Sequence, residues 1–302
     1  MLIIGSRGSD LALAQTRWIQ KRILALFPDL EVSVRIVKTS GDKDTTSSIR
    51  TGSSVGVFVK ELERALLENE IDMAVHSMKD LPTRIQQGLK IAAIPEREEV
   101  RDALVTSDKS GFASLRPNAR VGTGSIRRQA QMLALRPDLQ VVDVRGNINT
   151  RLEKLENGKY DAIILAVAGL NRLNLQNRIS ETFTLEQMLP APGQGALAVE
   201  TRMDDPENAN VAAALNHEPT SIAVTAERVF LKRMEGGCNV PVAVHARVED
   251  NRISIDGLVI SPGGEKSVRE SVCDSRDSAD RAAALLADRI LERGGRGILN
   301  DL

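Results

Sequence analysis

The stretch "IIGSRGSDLA", Ile3 to Ala12, and the stretch "RVGTGSIRRQ", Arg120 to Gln129, share one arrangement. In each, a short apolar run ends in glycine and small hydroxyl residues, and a helical pattern begins directly afterwards. Backbone N–H groups and the positive end of the helix dipole attract anions at such a turn. Neither stretch is a GxGxxG or Walker sequence, and small residues also suit ordinary helix capping. A structural turn and an anion site therefore both fit.

The alternation of strand and helix continues outward from both stretches. The runs "VSVRIVK" and "IDMAVHS" are separated by helical patterns in the first third of the chain, and "QVVDV" and "DAIILAVAGL" are separated likewise in the second. The ten residues of "DAIILAVAGL" are long enough for a buried strand. Strands separated by helices predict an α/β fold, with two lobes built on mixed, mainly parallel sheets.

Two passages of the chain are predicted to cross between these lobes. They lie around Pro95 to Arg101 and at "LPAPGQGA", where prolines and glycines prevent regular structure, and paired crossings favour a hinged cleft. Farther on, the segments "VAVHARVED", "RISIDGLVIS" and "KSVRESVCD" follow one another without helices, and a helix is expected from about Ser275 to Arg293. This order predicts a small C-terminal α+β domain with a three-stranded antiparallel sheet.

The composition argues against several classes of function. The chain of 302 residues has 40 Lys plus Arg against 41 Asp plus Glu, so it has no bulk attraction to nucleic acid or anionic membranes. The N-terminal "MLIIGSRGSD" lacks the apolar region of a signal peptide, and no run reaches membrane-spanning length, so a cytoplasmic protein is expected. The two cysteines and three histidines show no metal-ligand spacing, which predicts neither a metal site nor a disulfide framework.

Arginines gather where the predicted strands of the two lobes end. The set is Arg7, Arg127, Arg128, Arg145, Arg151 and Arg172. The carboxyl ends of parallel strands converge on the ligand crevice of α/β proteins, and the planar guanidinium group suits carboxylate and phosphate. The set predicts a ligand with several negative groups. Residue types alone leave polycarboxylate and polyphosphate open, and a structural role stays open for each arginine.

Two other stretches contain residues that can carry chemistry. "VHSMKDLP" places His76, Ser77, Lys79 and Asp80 after a strand, where a carboxylate can donate a proton to a leaving amine or stabilise a cation. A turn or cap role for Asp80 and a core role for His76 remain open. "EGGCNVP" contains Cys238, but its glycines can simply end a helix, and a helix C-terminus disfavours the thiolate.

Taken in order, the motifs resemble the porphobilinogen deaminase family, also called hydroxymethylbilane synthase. They are "SRGSDLALAQ", "GVFVKELERALLENEIDMAVHSMKDLP", "VGTGSIRRQAQ", "RGNINTRL", "YDAIILAVAGLNRL", "PAPGQGALAVE" and "EGGCNVPVAVHA". The resemblance covers the chain essentially end to end. It implies lobes like those of type II periplasmic binding proteins, with residues 1–96 and 196–215 in lobe one, 100–190 in lobe two and 218–302 in the C-terminal domain.

The resemblance also implies a reaction and a cofactor. The family joins four porphobilinogen molecules head to tail, releases ammonia at each addition and yields the linear tetrapyrrole hydroxymethylbilane, which passes to a downstream uroporphyrinogen synthase on the way to haem. Cys238 is the implied thioether attachment of a dipyrromethane cofactor, and Asp80 is the implied catalytic residue. A monomer without nucleic acid, membrane or metal is expected. The alternative is a non-catalytic or altered polycarboxylate-binding protein on the same two-lobe scaffold.

Cofactor and substrate binding are assigned by the same resemblance. The implied residues are Arg7, Ser9, Ser77, Lys79, Thr123, Ser125, Arg127, Arg128, Arg145, Arg151, Arg172 and Gln194. The largest departure from the family lies in its lid segment, which usually has two lysines, whereas "TGSSVG" here leaves Thr51 and Val55. Arg50 is a candidate to replace part of that charge. Asp10 stands in place of a usual proline, and Gly124 in place of a common serine.

Overall fold

The computed structural model describes residues 1–37, 59–234 and 240–301. The chain divides into two compact units, Met1–Glu98 with Ala196–Ser221 and Glu99–Gly195 with Ile222–Leu302. The sequence-based division into three domains, which separates 218–302 from 100–190, stays a prediction. Within the described ranges, no helix combines the length and the apolar character that a membrane crossing requires.

The secondary structure follows the alternation that the sequence predicts. The strands are β1 (Leu2–Ser6), β2 (Val32–Ile36), β3 (Met73–Ser77), β4 (Leu89–Ala93), β5 (Asp102–Val105), β6 (Arg120–Gly122), β7 (Gln140–Val142), β8 (Ala162–Ala166), β9 (Glu181–Thr182), β10 (Leu197–Arg202), β11 (Val242–Glu249), β12 (Arg252–Ile260) and β13 (Ser267–Ser275). The α-helices are α1 (Asp10–Leu26), α2 (Lys60–Leu67), α3 (Ile126–Leu135), α4 (Ile148–Glu156), α5 (Val167–Arg172), α6 (Pro206–Ala213), α7 (Glu218–Arg233), α8 (Ala279–Ile290) and α9 (Arg296–Asn300).

The first unit contains a five-stranded sheet in the order β2-β1-β3-β10-β4. Strands β2, β1 and β3 are parallel, and β10 is antiparallel to both of its neighbours. Because β4 therefore runs in the same direction as β1, β10 alone in this sheet has the reverse direction. Helix α1 covers one face through Ile19 and Ile23, and α2 covers the other through Leu62 and Leu66.

The sheet that begins the second unit repeats this plan in the order β7-β6-β8-β5-β9. Strands β7, β6 and β8 are parallel, and β5 is antiparallel to β8 and β9. Strand β5 is the reversed strand here and occupies the same place as β10 in the first unit. Both strands directly follow a predicted crossing of the chain. The predicted mixed, mainly parallel sheets are confirmed.

The last sheet is the predicted three-stranded antiparallel one, in the order β11-β12-β13. One face packs on α7 and α8 through residues such as Phe230 and Leu286. From the other, Leu258 packs with Ala130 of α3. Gly264, at φ 84°, lies where the turn after β12 meets α3, and a Cβ there would come within 2.5 Å of the Ala134 amide nitrogen. Only glycine fits this close approach.

One expected strand is wrong in its length. The run "DAIILAVAGL" forms β8 as far as Ala166, and α5 starts at Val167. A short apolar run fits a buried strand and a buried helix equally well by periodicity, so length was a poor guide. The helix expected from Ser275 to Arg293 is α8, and Gly294 at φ 110° marks a kink before α9.

Candidate active site

Asp80 lies at the carboxyl end of β3, as the sequence predicts. A 3-10 turn from Met78 to Asp80 follows the strand directly. The Met78 amide donates to the Ala196 carbonyl at 3.0 Å, and the Leu81 amide donates to the Met78 carbonyl at 3.2 Å. The backbone of the turn is therefore fixed at both ends while the Asp80 side chain is exposed. An exposed carboxylate on a fixed turn is placed to exchange protons with a ligand.

The turn after β1 lies at the same edge of the first sheet, because β1 and β3 are adjacent and parallel. Arg7 is half-buried there, and the Ser9 hydroxyl caps α1 by accepting from the Ala12 amide at 3.3 Å. One turn into α1, the amide nitrogen of Gln15 donates to the Ser77 hydroxyl at 2.9 Å. The structure thus brings together, at this edge, the predicted residues Arg7, Ser9, Ser77, Lys79 and Asp80.

In the second unit, Thr123 and Ser125 shape the start of α3. The Thr123 hydroxyl accepts from the Ser125 amide at 3.2 Å, and the Ser125 hydroxyl accepts from the Arg128 amide at 3.5 Å. Both hydroxyl groups are thus used as acceptors in capping. The capping role that the sequence left open is therefore present. Helix α3 begins directly after Ser125, so Arg127 and Arg128 lie in its first turn.

Arg127 and Arg128 are almost completely buried, at 4% and 6% exposure, and share one carboxylate. Arg127 Nη2 lies 2.8 Å from Asp102 Oδ2, while Arg128 donates to Asp102 Oδ1 from Nε at 3.0 Å and from Nη2 at 2.7 Å. Arg127 also donates to the Leu189 carbonyl at 2.7 Å, and Arg128 to the Ile164 carbonyl at 3.1 Å. One carboxylate against two guanidinium groups leaves a local excess of positive charge.

Asp102 is the centre of this network and is fully buried, on β5. Gln194, at 1% exposure, donates to Asp102 Oδ1 at 2.9 Å and to the Val100 carbonyl at 2.7 Å. Burial alone would raise the pKa of Asp102, but the charges and hydrogen bonds of Arg127 and Arg128 outweigh it and hold that pKa far below its ordinary value. Asp102 is therefore ionised, and Gln194 joins both crossing segments to it.

Arg151 differs from the buried pair because the described parts of the chain contain no ion pair between it and a carboxylate. Its Nε donates to the Gly146 carbonyl at 2.8 Å. Burial, followed by the charge of Arg128, lowers the pKa of Arg151 to about 10. Its neighbour Arg145 is paired with Asp143 at 2.9 Å. A bound anion would offset the cost of burying the charge of Arg151.

A second buried carboxylate, Glu227 on α7, holds the chain segment that precedes β10. Glu227 is fully buried and accepts from the Gly193 amide at 2.7 Å and from the Ala246 amide on β11 at 2.8 Å. Arg172 donates to the Gly195 carbonyl at 2.6 Å. Residues 193–195 are therefore fixed by α7, which Glu227 also joins to β11, and by the end of α5.

Sequence reasoning missed Asp102 and Glu227. The available signal was an acid next to apolar residues of a predicted strand or helix, as in "DALV" and "AERVF", because an ionised side chain that is buried there needs a partner. The predicted positions Cys238, Thr51 and Val55, with the candidate Arg50, lie outside the described residues. Among the residues that the structure covers, no group of three or more His, Cys, Asp and Glu could hold a metal ion.

Two family models match almost the whole chain. The model described as "Porphobilinogen deaminase, dipyromethane cofactor binding domain" matches residues 2–210, and "Porphobilinogen deaminase, C-terminal domain" matches residues 221–292. The chain belongs to the porphobilinogen deaminase family. The resemblance identified from the sequence motifs is confirmed, and so is the presence of a dipyrromethane-binding domain.

Individual members of the porphobilinogen deaminase family match over their full length. The porphobilinogen deaminase of Pelobacter propionicus is 45% identical over 301 residues, which cover 100% of this chain and 97% of the relative. That of Thermus thermophilus is 45% identical over 300 residues, 99% of this chain and 98% of the relative. Among solved structures, a periplasmic substrate-binding protein of an ABC transporter from Coxiella burnetii aligns with a TM-score of 0.44 and 13% identity, covering 76% of this chain and 97% of its own.

Proposed function

We propose that this chain is a transferase that joins four porphobilinogen molecules head to tail, releasing ammonia at each addition, to give hydroxymethylbilane. Full-length similarity to porphobilinogen deaminases supports the reaction. The observation that carries the proposal is the excess of positive charge around Arg127, Arg128 and Arg151, because each substrate unit has acetate and propionate groups. The alternative of a non-catalytic polycarboxylate-binding protein is not favoured by these relatives.

The residues around α3 and α4 fit the dipyrromethane cofactor. Its carboxylates need cations and N–H donors, and Arg151 supplies a half-buried guanidinium whose positive charge is disfavoured until an anion arrives. Arg127 Nε is a buried donor without a hydrogen-bond partner in the described structure. We propose that these two arginines bind the carboxylates of the cofactor and of the growing pyrrole chain. Arg145, Arg172, Thr123 and Ser125 are proposed to bind the same carboxylates. When bound, the cofactor supplies the pyrrole end to which substrate is joined.

Asp80 is the proposed catalytic residue. Each addition expels an amino group, which leaves as ammonia after it gains a proton, and positive charge develops on the pyrrole. A carboxylic acid at Asp80 can donate that proton, and the resulting carboxylate then stabilises the cation. Lys79, half-buried beside Asp80, is proposed to bind substrate carboxylates together with Arg7, Ser9 and Ser77.

Cys238 is the proposed attachment point of the cofactor, through a thioether. The elements on either side of it are α7, which ends at Arg233, and β11, which begins at Val242. Glu227 joins these two elements and the 193–195 segment through its two hydrogen bonds. A thioether suits an anchor, because a carbon–sulfur bond formed once survives repeated cycles at neighbouring atoms.

Intact-mass measurement of the purified protein tests this proposal. We expect excess mass that maps to Cys238, and an unmodified chain in the Cys238→Ser variant. Addition of porphobilinogen to the wild type should increase the mass in steps of one substrate unit less ammonia. An unmodified wild-type chain that also fails to consume porphobilinogen would favour the polycarboxylate-binding alternative.

We also propose that the enzyme acts as a monomer in the cytoplasm and that its product passes to a uroporphyrinogen synthase. The linear product supports the last of these steps, because a separate cyclising enzyme is required to close a linear tetrapyrrole into the ring of a defined isomer. Size-exclusion chromatography with light scattering tests the monomer, with an expected mass near 32.8 kDa. A stable dimer would contradict it.

A further inference from the structure

Three titratable side chains, Glu63, His76 and Glu200, form a buried cluster in the first unit, called here the acid–imidazole cluster. Their exposures are 8%, 5% and 0%. His76 Nε2 lies 3.0 Å from Glu200 Oε2. In the pairing of β3 with β10, His76 opposes Ala198 and Glu200 opposes Ala74, so both side chains point to the same face of the sheet. Glu63 belongs to α2, which covers that face.

The cluster contains two carboxyl groups but only one group that can become a cation. Glu63 Oε1 and Glu200 Oε1 are both buried without a hydrogen-bond partner in the described structure. Two ionised carboxylates with a single imidazolium would leave an uncompensated negative charge in a dry site, which is strongly unfavourable. Retention of one proton by a carboxyl group removes that charge.

The contacts identify Glu63 as the carboxyl that keeps the proton. Glu200 has the imidazole of His76 as its direct partner, whereas Glu63 has no such ion pair among the described residues. Burial and then the charge of Glu200 raise the pKa of Glu63, against weaker opposing effects of His76, the Gln86 backbone amide and Lys60. The next charge on β10, Arg202, is already paired with Asp72 at 3.2 Å and Asp205 at 2.5 Å.

The acid–imidazole cluster lies directly behind the turn that carries Asp80. His76 is followed by Ser77 and then by the 3-10 turn from Met78 to Asp80. The Met78 amide donates to the carbonyl of Ala196, immediately before β10. The contact between His76 and Glu200 therefore fixes the same pair of strands that fixes the Asp80 turn.

We propose that Glu200, acting through His76, is a positioning residue for the Asp80 turn, and that Glu63 completes the cluster in its neutral form. The catalytic part rests on the proposed function. Neither Glu63 nor Glu200 touches substrate in this proposal. They set the position of β3 against β10, and the neutral Glu63 leaves the contact of His76 with Glu200 without a second negative charge beside it.

Glu63→Gln tests the neutral form, because an amide has the shape of a protonated carboxyl and cannot ionise. We expect the variant to have a Tm about 2 °C higher than wild type at pH 7. A raised pKa costs stability above the ordinary pKa of 4.5, so the gain should disappear as pH falls below that value. The infrared difference spectrum, wild type minus variant, should show the carbonyl stretch of a neutral carboxylic acid.

The matched control is Glu68→Gln at the end of α2, where an exposed carboxylate lies 3.8 Å from Arg64. Its Tm should stay close to wild type at every pH. A Glu63→Gln variant that is less stable than wild type at pH 7, or whose gain does not depend on pH, would overturn the neutral form of Glu63. These measurements need no substrate and so stand even if the proposed reaction is wrong.

Glu200→Gln tests the positioning role. It removes the charge that holds His76, and we expect kcat to fall about tenfold at nearly constant KM, because a displaced Asp80 affects the chemical step more than binding. A variant with wild-type kcat, or with KM raised in proportion to a fall in kcat/KM, would overturn the role. A wild type without activity would instead count against the proposed function.

Discussion

Strands β5 and β10 occupy the same place in their two sheets, and each contains a fully buried carboxylate, yet the surroundings of the two carboxylates are opposite. Asp102 on β5 has two arginines and Gln194 as donors. Glu200 on β10 has one histidine as its partner, and burial and then the charge of Glu200 raise the pKa of a second carboxyl group, Glu63. The surroundings of Asp102 therefore have an excess of buried positive charge, and those of Glu200 have an excess of acid.

This difference matches the two roles that the proposed reaction needs. Carboxylate-rich ligands need a region with more cations than anions, and Asp102 allows two arginines to be buried together without neutralising both. Proton donation needs a well-positioned carboxyl, and the acid–imidazole cluster lies directly behind the turn that presents Asp80. The two sheets thus share one topology, but the groups around the buried carboxylate of the reversed strand are cationic in one sheet and acidic in the other.

Asp80→Asn, which removes the proposed catalytic carboxyl group, should have a greater effect than any other substitution considered below. We expect turnover of porphobilinogen to fall at least about 100-fold, because an amide provides neither the proton nor the negative charge. Steady-state kinetics measures this, and Asp29→Asn, an exposed turn residue of the same unit, is the control. Near-normal turnover in Asp80→Asn would place the acid elsewhere and remove the functional basis of the comparison.

Asp102→Asn has the next largest effect, on stability. It leaves two buried guanidinium groups without an anion, and we expect the second unit to lose about 3–5 kcal/mol. Since the pKa of Asp102 is depressed, its contribution is fully present above the ordinary value of 3.8 and is lost as pH falls far below it. Urea unfolding at several pH values checks both statements.

The control for Asp102→Asn is Asp288→Asn, which removes an exposed pair with Arg233 at 2.7 Å and should cost about 0–1 kcal/mol. Equal effects of the two substitutions would show that the buried pair of arginines does not depend on its carboxylate. The contrast with the acid–imidazole cluster, where an amide at Glu63 should stabilise, would then fail.

Glu227→Gln is expected to have an intermediate effect. An amide can accept from one of the two backbone donors but opposes the other with its own N–H groups, which should cost about 1–3 kcal/mol. Hydrogen exchange should become faster at Gly193 or Ala246, whose amides lose their acceptor. Protection of both amides at the wild-type level would contradict the bracing role of Glu227.

The smallest effect is expected for Arg151→Met, and its sign is the informative part. Because the pKa of Arg151 is lowered to about 10, its charge costs stability at neutral pH, and this cost begins to fall only as the pH rises above that value. In the Cys238→Ser background, the variant should therefore have a slightly higher Tm than its parent. Arg247→Met, at an exposed site on β11, is the control.

Loss of stability in Arg151→Met would indicate a compensating anion within the protein. That result would remove the excess of positive charge on which the comparison of the two units depends. Weaker binding of porphobilinogen by the same variant, measured by calorimetry, would instead support a role of the Arg151 charge in ligand binding.

Local features of the fold were predictable from sequence, and the long-range pairing of charges was not. The strand–turn–helix starts at β1 and β6 are marked by residues within ten positions of one another. The contact between His76 and Glu200 joins residues 124 positions apart, and Arg128 lies 26 positions from Asp102. Such pairs depend on which strand is reversed, and periodicity says nothing about that.

Residue roles show the same limit. Asp80 and the arginines could be predicted as site residues because the ends of parallel strands converge on the ligand crevice, where acids and cations can act on a ligand. His76 could not be distinguished from an ordinary core residue, since its partner lies in another part of the chain. The split of "DAIILAVAGL" into β8 and α5 was hidden for a related reason, because its apolar residues are buried in either conformation.

The place of β10 between β3 and β4 has a consequence for how the protein is made. The sheet of β5 to β9 is encoded in one continuous stretch, so it can form as soon as residues up to 182 leave the ribosome. The first sheet has a gap between β3 and β4 until residue 202 has been synthesised. The sheet that is translated first is therefore completed later than the sheet that follows it. In a nascent chain that is stalled after residue 182 and before residue 202 has left the ribosome, the second sheet should resist proteolysis and the first should not.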